Sequence, residues 1–290
     1  MEKNVAAARP VAMTTETRDW SEILQTVVRW TVSLGIVLWV VLPLFPLLLW
    51  SFSFRWVFPD LLPTAWTLRA WEYVLSPTSQ VGEAIWDTTV IALAVTFLSI
   101  LIAIPSGRAL GMHRFRGKRL VEFLVLAPTI VPGLAVVLGI HVMFIRYGLA
   151  DSMLGVMLVH LIPATPYVVL VMAGVFANYN PEFEEQARSL GAGQLATFWY
   201  VTLPAIFPGM MVAGLFAFLI SWSQYILTLL IGGGYVTTLP LLLFSFARGG
   251  DNAITGALSI VFIAPAIIML IISSRYVTGE DAAVGGFGRI

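Results

Sequence analysis

Glu182, Glu184, Glu185 and Arg188 crowd into the stretch PEFEEQARSLGAG, which opens at Pro181. Carboxylates at the start of a helix are favoured by its dipole and can face basic groups on a partner. Arg188 follows Glu184 at the helical i,i+4 spacing, where opposite charges pair weakly. Ala187 and Gly191 share that spacing, and small side chains on one face let another surface approach closely. This is the chemistry of docking, not of bond making. Gly191, Ala192 and Gly193 then break the helix, since glycine supplies a positive φ or a close-packing position. The aromatic run 198–200 leads to Leu203 and Pro204, and Pro204 suits the first turn of a following helix. The expected form is a short helix, a turn and a second short helix lying along a membrane surface.

A second group of polar and helix-breaking residues interrupts otherwise apolar runs. It comprises Pro128, Thr129, Pro132, Gly133 and His141, then His160, Pro163, Thr165 and Pro166, then Ser221, Trp222, Ser223, Gln224, Tyr225 and Thr228. Inside a bilayer such groups must be satisfied within protein or line water. They mark a candidate translocation path through Thr129, Pro132, His160, Ser221, Trp222, Gln224 and Tyr225, with Gln224 and Tyr225 foremost. The alternatives are packing kinks for the prolines, hydroxyls bonded back to their own helices, and a neutral, hydrogen-bonded structural role for His160. The three histidines are isolated and there is no cysteine. Disulfides and thiol chemistry are thereby excluded, and a metal enzyme is argued against.

The elements that must position these residues are membrane helices. The chain of 290 residues is 59% hydrophobic and only 11% charged, against roughly 25% charge in soluble domains. Its net charge of zero gives no sign of a nucleic-acid partner. A span needs about 20 apolar residues. Six are expected, at 30–50, 88–106, 123–145, 152–180, 205–230 and 252–274. The third is expected to be kinked by its prolines. Gly232-Gly233-Gly234 ends the fifth, leaving 237–246 as an apolar outer loop or re-entrant piece. Residues 1–28 read as a loose tail with a short helix near its end. They are no cleavable signal peptide, because the apolar run begins late and is too long. Residues 276–290 form a Gly-rich tail.

Lysine and arginine fix the orientation. With both termini inside, 12 of the 16 Lys and Arg lie on the cytoplasmic side, and only Arg55, Arg69, Arg146 and Arg248 lie outside. The chain thus divides into a cytoplasmic tail (1–28), a first span with a long outer loop (29–83), a core transmembrane region (84–275) carrying the 181–204 loop in the cytoplasm, and a cytoplasmic tail (276–290). The outer segment 53–83 is either a docking surface or an interfacial packing segment. The basic run from Arg108 to Arg119 is a topology determinant, or contacts lipid headgroups or a partner.

The 181–204 loop resembles the cytoplasmic coupling loop (EAA loop) of type I ABC importer permeases, whose pattern is E-A-A, three residues, G, nine residues, I-x-L-P. Glu185-Gln186-Ala187 stands for E-A-A, Gly191 for the glycine, and Val201-Thr202-Leu203-Pro204 for the close. Gln186 and Val201 depart mildly from it. The resemblance implies an all-α, six-span, N-in/C-in permease fold in a bacterial inner membrane. It implies that Glu184, Glu185, Ala187, Arg188, Leu190, Gly191, Leu203 and Pro204 serve the contact with an ATPase. It also implies an ATPase dimer carrying ATP and Mg, a second permease subunit (most simply a different one) and an extracytoplasmic substrate-binding protein. The chain itself has no phosphate-binding loop, so it is expected to be no enzyme and to bind no cofactor.

Ser189-Leu190-Gly191-Ala192 looks more like the polyamine, iron, phosphate and sulfate groups of this superfamily than its sugar permeases, while the segments from Tyr235 to Ser245 and from Pro163 to Val169 resemble spermidine/putrescine-type permeases. Those relatives often carry an acidic residue near 221–225, where this chain reads S-W-S-Q-Y. A polycation would want such a partner in low dielectric, although Trp222 and Tyr225 offer cation–π contacts. A polyamine or other small polar solute is expected, with a sugar, iron or a phosphonate as alternatives. An ion-coupled secondary transporter is the rival class, but it would show intramembrane carboxylates or repeated halves.

Overall fold

The computed structural model describes residues 20–56 and 59–278. Contacts divide the chain into residues 1–46 and 47–290. In the first part, α1 (Trp20–Val41) is helical throughout. It starts well before residue 30, because one arginine does not stop a run of good helix formers. The expected loose tail at 1–28 therefore falls partly on a helix and partly on residues 1–19, which lie outside the described residues. α2 (Leu44–Ser51) follows Pro43.

The segment expected outside, 53–83, is not purely helical. Short antiparallel strands β1 (Ser53–Arg55) and β2 (Ala65–Trp66) pair there, a small addition to an otherwise helical fold. α3 (Arg69–Leu75) then packs Ala70 and Val74 against Ala253, Ile254 and Ala257 near the start of the last helix, α13 (Asn252–Thr278). Arg69 donates to both carboxylate oxygens of Asp251 at 2.9 Å, and Asp251 Oδ1 accepts the Ile254 N–H that opens α13. At least this part of the segment is packing rather than free surface. Thr278 ends the described residues, so most of the 276–290 tail lies outside them.

The core is built on α4 (Val81–Met112) and α7 (Met153–Ala177). α4 has 32 residues and exceeds the expected span at both ends. Ala103, Gly107 and Gly111 recur every fourth residue on one face of α4. A Cβ on Gly111 would lie 2.5 Å from the Ala173 carbonyl oxygen, and one on Gly107 would lie 2.7 Å from Met172 Cβ. Small residues at this spacing let two helix backbones approach closely, the main way helices associate where no hydrophobic drive exists.

The expected single third span is two helices, α5 (Lys118–Ile130) and α6 (Gly133–Arg146), inclined at 96°. Pro132 disfavours the helical region at Val131, which is extended (φ −76°, ψ 132°). α8 (Glu182–Ser189) is followed by α9 (Gln194–Thr197), a π-helical turn at Phe198–Thr202, and α10 (Leu203–Trp222). The last three form one continuous 29-residue helix. The second helix of the loop is thus the beginning of the next span rather than a separate surface helix. The π turn explains how. Leu203 N–H reaches back five residues to Phe198, widening the turn where Pro204 can donate no bond and would crowd an ordinary α turn.

The expected fifth span ends at Trp222. Ser223–Tyr225 is not helical, and α11 (Ile226–Gly232) begins anew. Gly233 and Gly234 both have positive φ. The expected outer loop at 237–246 is mostly α12 (Leu239–Gly249). Among the described residues, four helices are long and apolar enough to cross a membrane, or up to six if two broken helix pairs each count as one. Their outer faces expose apolar residues such as Leu93, Phe97 and Leu101, as lipid or a second subunit requires.

Candidate functional site

The 181–204 loop is folded around a buried acid. Asn180 Oδ1 accepts the Glu182 N–H at 3.0 Å, which helps start α8. Gly191 ends it. Gly191 N–H bonds the Arg188 carbonyl at 2.9 Å and Ala192 N–H bonds the Ala187 carbonyl at 3.0 Å, the paired bonds of a Schellman C-cap. Gly191 takes φ +92° there, and a Cβ on it would meet nothing. Its requirement within the chain is therefore backbone conformation.

The three glutamates separate. Glu182 and Glu185 are exposed, while Glu184 is 3% exposed. Arg108, near the end of α4, donates to both oxygens of Glu184 at 2.8 and 2.7 Å. Arg188 Nη2 donates to Glu184 Oε2 at 3.1 Å, and the Thr202 hydroxyl donates to Oε1 at 2.8 Å. Hydrogen bonds from Arg108 hold the Glu184 carboxyl below the usual carboxylate range, against the opposing effect of burial. On the way, the Arg108 guanidinium passes over the Phe176 ring, 6.0 Å from its centroid. The other side of the loop is open and apolar. Phe183, Leu195 and Trp199 are exposed, as are Leu190 at 90% and Tyr200 at 82%. Ala187 is half-buried, Pro204 exposed and Leu203 half-buried.

The in-membrane residues fall into three places. Gln224 borders a cavity of about 330 Å³ with Pro128, Gly133, Val137, Val159, Pro163 and Leu227 among the other lining residues. It is the one polar side chain among the lining residues. Pro128 and Gly133 on either side of the 131–132 break line this space, as does Gln224 within the 223–225 break. His160 and Ser221 lie behind it, buried: His160 Nδ1 is 2.9 Å from Ser221 Oγ, and Nε2 is 2.9 Å from Thr228 Oγ1. Trp222 and Tyr225 turn elsewhere. Trp222 is buried between Phe218 and Phe262 and donates to the Phe262 carbonyl at 3.0 Å. Tyr225 packs on Phe244 at 4.4 Å with Arg248 over its ring. Thr129 is exposed and bonds back to Leu126, and Pro132 caps α6 outside the lining set.

Read from the sequence, Arg108, Thr202 and Thr228 have no individual role, although Thr228 stands among the polar interruptions and Thr202 within the coupling pattern. Arg108 looked like one charge of a basic run. The signals for it were its place at the end of a long apolar helix and the Ala103/Gly107/Gly111 stripe that seats α4 against α7.

This architecture is that of importer permeases. The chain matches a subunit of a bacterial ABC transporter that imports the acidic polysaccharide alginate, with a TM-score of 0.69 and 20% identity over 89% of this chain and 98% of that one. It also matches the MetNI methionine ABC transporter in an inward-facing conformation, with a TM-score of 0.54 and 16% identity over 70% of this chain and 95% of that one. The chain belongs to the family described as the binding-protein-dependent transport system inner membrane component, whose model matches residues 99–278. Among its relatives, the putrescine transport system permease protein PotI of Escherichia coli is 30% identical over 67% of this chain and 71% of its own length. The molybdenum transport system permease protein ModB of Mycobacterium tuberculosis is 28% identical over 73% of this chain and 86% of its own length. The protein is thus an ABC importer permease subunit of a multi-pass inner-membrane type, a transport subunit without enzymatic activity. The ion-coupled rival falls with that assignment.

Proposed function

We propose that this subunit takes ATP-driven motion from a separate ATPase through the 181–204 loop and passes a small polar solute along a path that includes the Gln224 cavity. The observation that carries this reading is the shape of the loop. One side is pinned inside the chain by Glu184, and the other presents Phe183, Leu190, Leu195, Trp199 and Tyr200 to the outside. Exposed apolar side chains of this kind, beside the exposed carboxylates Glu182 and Glu185, fit a protein partner with an apolar groove and basic rim. In this reading both termini and the loop are cytoplasmic, and six spans cross the membrane. ATP and Mg bind on the ATPase dimer, a second and different permease subunit completes the path, and an extracytoplasmic binding protein delivers the solute.

The substrate class follows from the cavity. Its lining offers Gln224 and apolar groups but no carboxylate, which favours an uncharged, zwitterionic or singly cationic solute over a bare polycation. A polyamine remains within the reading if the second subunit contributes the acid. Relatives named for putrescine, molybdenum, diacetylchitobiose and 2-aminoethylphosphonate transport show how widely this scaffold is used.

The test is ATP hydrolysis by the assembled transporter in nanodiscs, with its binding protein and a panel of these solutes. Leu190→Asp should release the ATPase from the membrane subunits while the permease still inserts. A Leu190→Asp protein that keeps its ATPase and its solute-stimulated hydrolysis would remove the docking reading.

A further inference from the structure

Residues of three elements converge on one buried oxygen pair. Arg108 comes from the end of α4, Glu184 and Arg188 from α8, and Thr202 from the π turn that leads into α10. Such a carboxylate is not on offer to a partner, since four donors already occupy its two oxygens. The order of strengths is also clear. Arg188 is half-exposed and four residues away on the same helix, a weak kind of pair. The bidentate Arg108 contact is charge-assisted, geometrically fixed and largely shielded by Phe176 and Glu184 itself, which is the strong kind. Removing one partner of such a pair strands the other in a poorly solvated place.

The seat of Arg108 is equally fixed. Gly107 and Gly111 press α4 against the backbone of α7 on either side of it in sequence. α8 is otherwise short, with eight residues, and isolated helices of that length do not hold together in water. Between α8 and α9 the chain passes only through the Gly191–Gly193 turn. Without the Glu184 contacts, a push on α8 would be absorbed by that turn.

We propose that Arg108 and Glu184 form a clamp that makes α8 a rigid extension of both α4 and the α9–α10 helix, so that displacement of the loop is delivered to two membrane helices at once. Glu184, Arg108 and Thr202 are positioning residues in this scheme, and the exposed face of α8 remains the surface that meets the partner. The proposal rests on the docking reading above.

The test exploits the absence of cysteine from the chain. Spin labels at Gln186→Cys on α8 and His113→Cys beyond α4 report their separation by pulsed electron spin resonance in the nanodisc-bound transporter. The expected result is one narrow distance distribution with Glu184 present and a broad one in Glu184→Gln. In unlabelled protein, Glu184→Gln should still co-purify the ATPase, yet lose solute-stimulated transport per ATP by at least about tenfold. The exchanged pair Arg108→Glu with Glu184→Arg should recover much of that loss, which a merely misfolded variant would not. A narrow distribution in Glu184→Gln, or wild-type coupling in that variant, overturns the clamp. Leu190→Asp keeps the two ideas apart: if it detaches the ATPase while Glu184→Gln couples normally, the clamp alone has failed, and if it does nothing, the docking reading has failed.

Discussion

His160 Nε2 lies 2.9 Å from the hydroxyl oxygen of Thr228, across the gap where α10 stops and α11 begins. The Thr228 hydroxyl in turn donates to the Gln224 carbonyl at 3.2 Å, so Nε2 must carry the proton. Nδ1, at 2.9 Å, accepts from Ser221 at the other side of the gap. A neutral ring thus satisfies both hydroxyls and staples the break that carries Gln224 to the cavity. His160→Leu leaves the buried Ser221 hydroxyl unpaired, at about 1–3 kcal/mol, and takes the ring N–H from Thr228, which keeps its bond to the Gln224 carbonyl. The variant should therefore melt well below wild type in detergent. The triple variant His160→Leu, Ser221→Ala, Thr228→Val should recover part of the loss, because removing all partners is cheaper than removing one.

The approach of α4 to α7 leaves no room at Gly111. Gly111→Leu must move backbone atoms of Ala173 and Ala177, and overpacking against backbone costs about 3 kcal/mol or more. We expect poor insertion or a sharply lowered melting temperature by fluorescence-detected gel filtration. Gly139→Leu is the control: a Cβ there meets nothing, so the variant should behave like wild type.

Gly191 needs its positive φ, not its small size. Gly191→Ala should destabilise the loop by about 1 kcal/mol, and Gly191→Asn by less, since Asn tolerates the left-handed region. Limited proteolysis within 181–204 should rank the variants alanine, asparagine, glycine from most to least cleaved.

Glu184 gives the loop an acid sensitivity. Its carboxyl is charged in the fold against Arg108 and Arg188, and Tyr179, whose phenol is raised by burial, stays neutral in acid. Because the folded pKa lies below the unfolded one, the contribution is complete above the ordinary carboxylate range and is lost as pH falls through the folded value. Protection of the α8 amides from hydrogen exchange should therefore hold at neutral pH and decline in acid. Glu184→Gln should show low protection throughout and no acid step.

Gln224 is the polar group of the cavity. Gln224→Leu should raise the half-saturating solute concentration for stimulated hydrolysis roughly 3–10-fold if it donates or accepts one hydrogen bond. Gln224→Glu should shift the preference towards cationic solutes. Unchanged behaviour in both variants would take the cavity out of the path.

The class of protein is legible in local residue patterns. Runs of about 20 apolar residues admit little but membrane helices, and the pattern around Gly191 with Leu203-Pro204 resembles that of one family. Composition and local spacing suffice for these because they depend on residues that are near neighbours in the chain. The breaks were only half legible. Pro132 announces one, whereas the polar run at 221–225 reads as a polar face and not as an end of the helix, because that break is held by His160 from another helix. The three glutamates of α8 look alike in sequence. Glu184 faces inward because of Arg108 and Thr202, 76 and 18 residues away, and no local pattern can place such distant partners beside it. Electrostatic pairing and close helix packing act through space, and they turned what read as a run of surface charge into one buried cluster joining three elements.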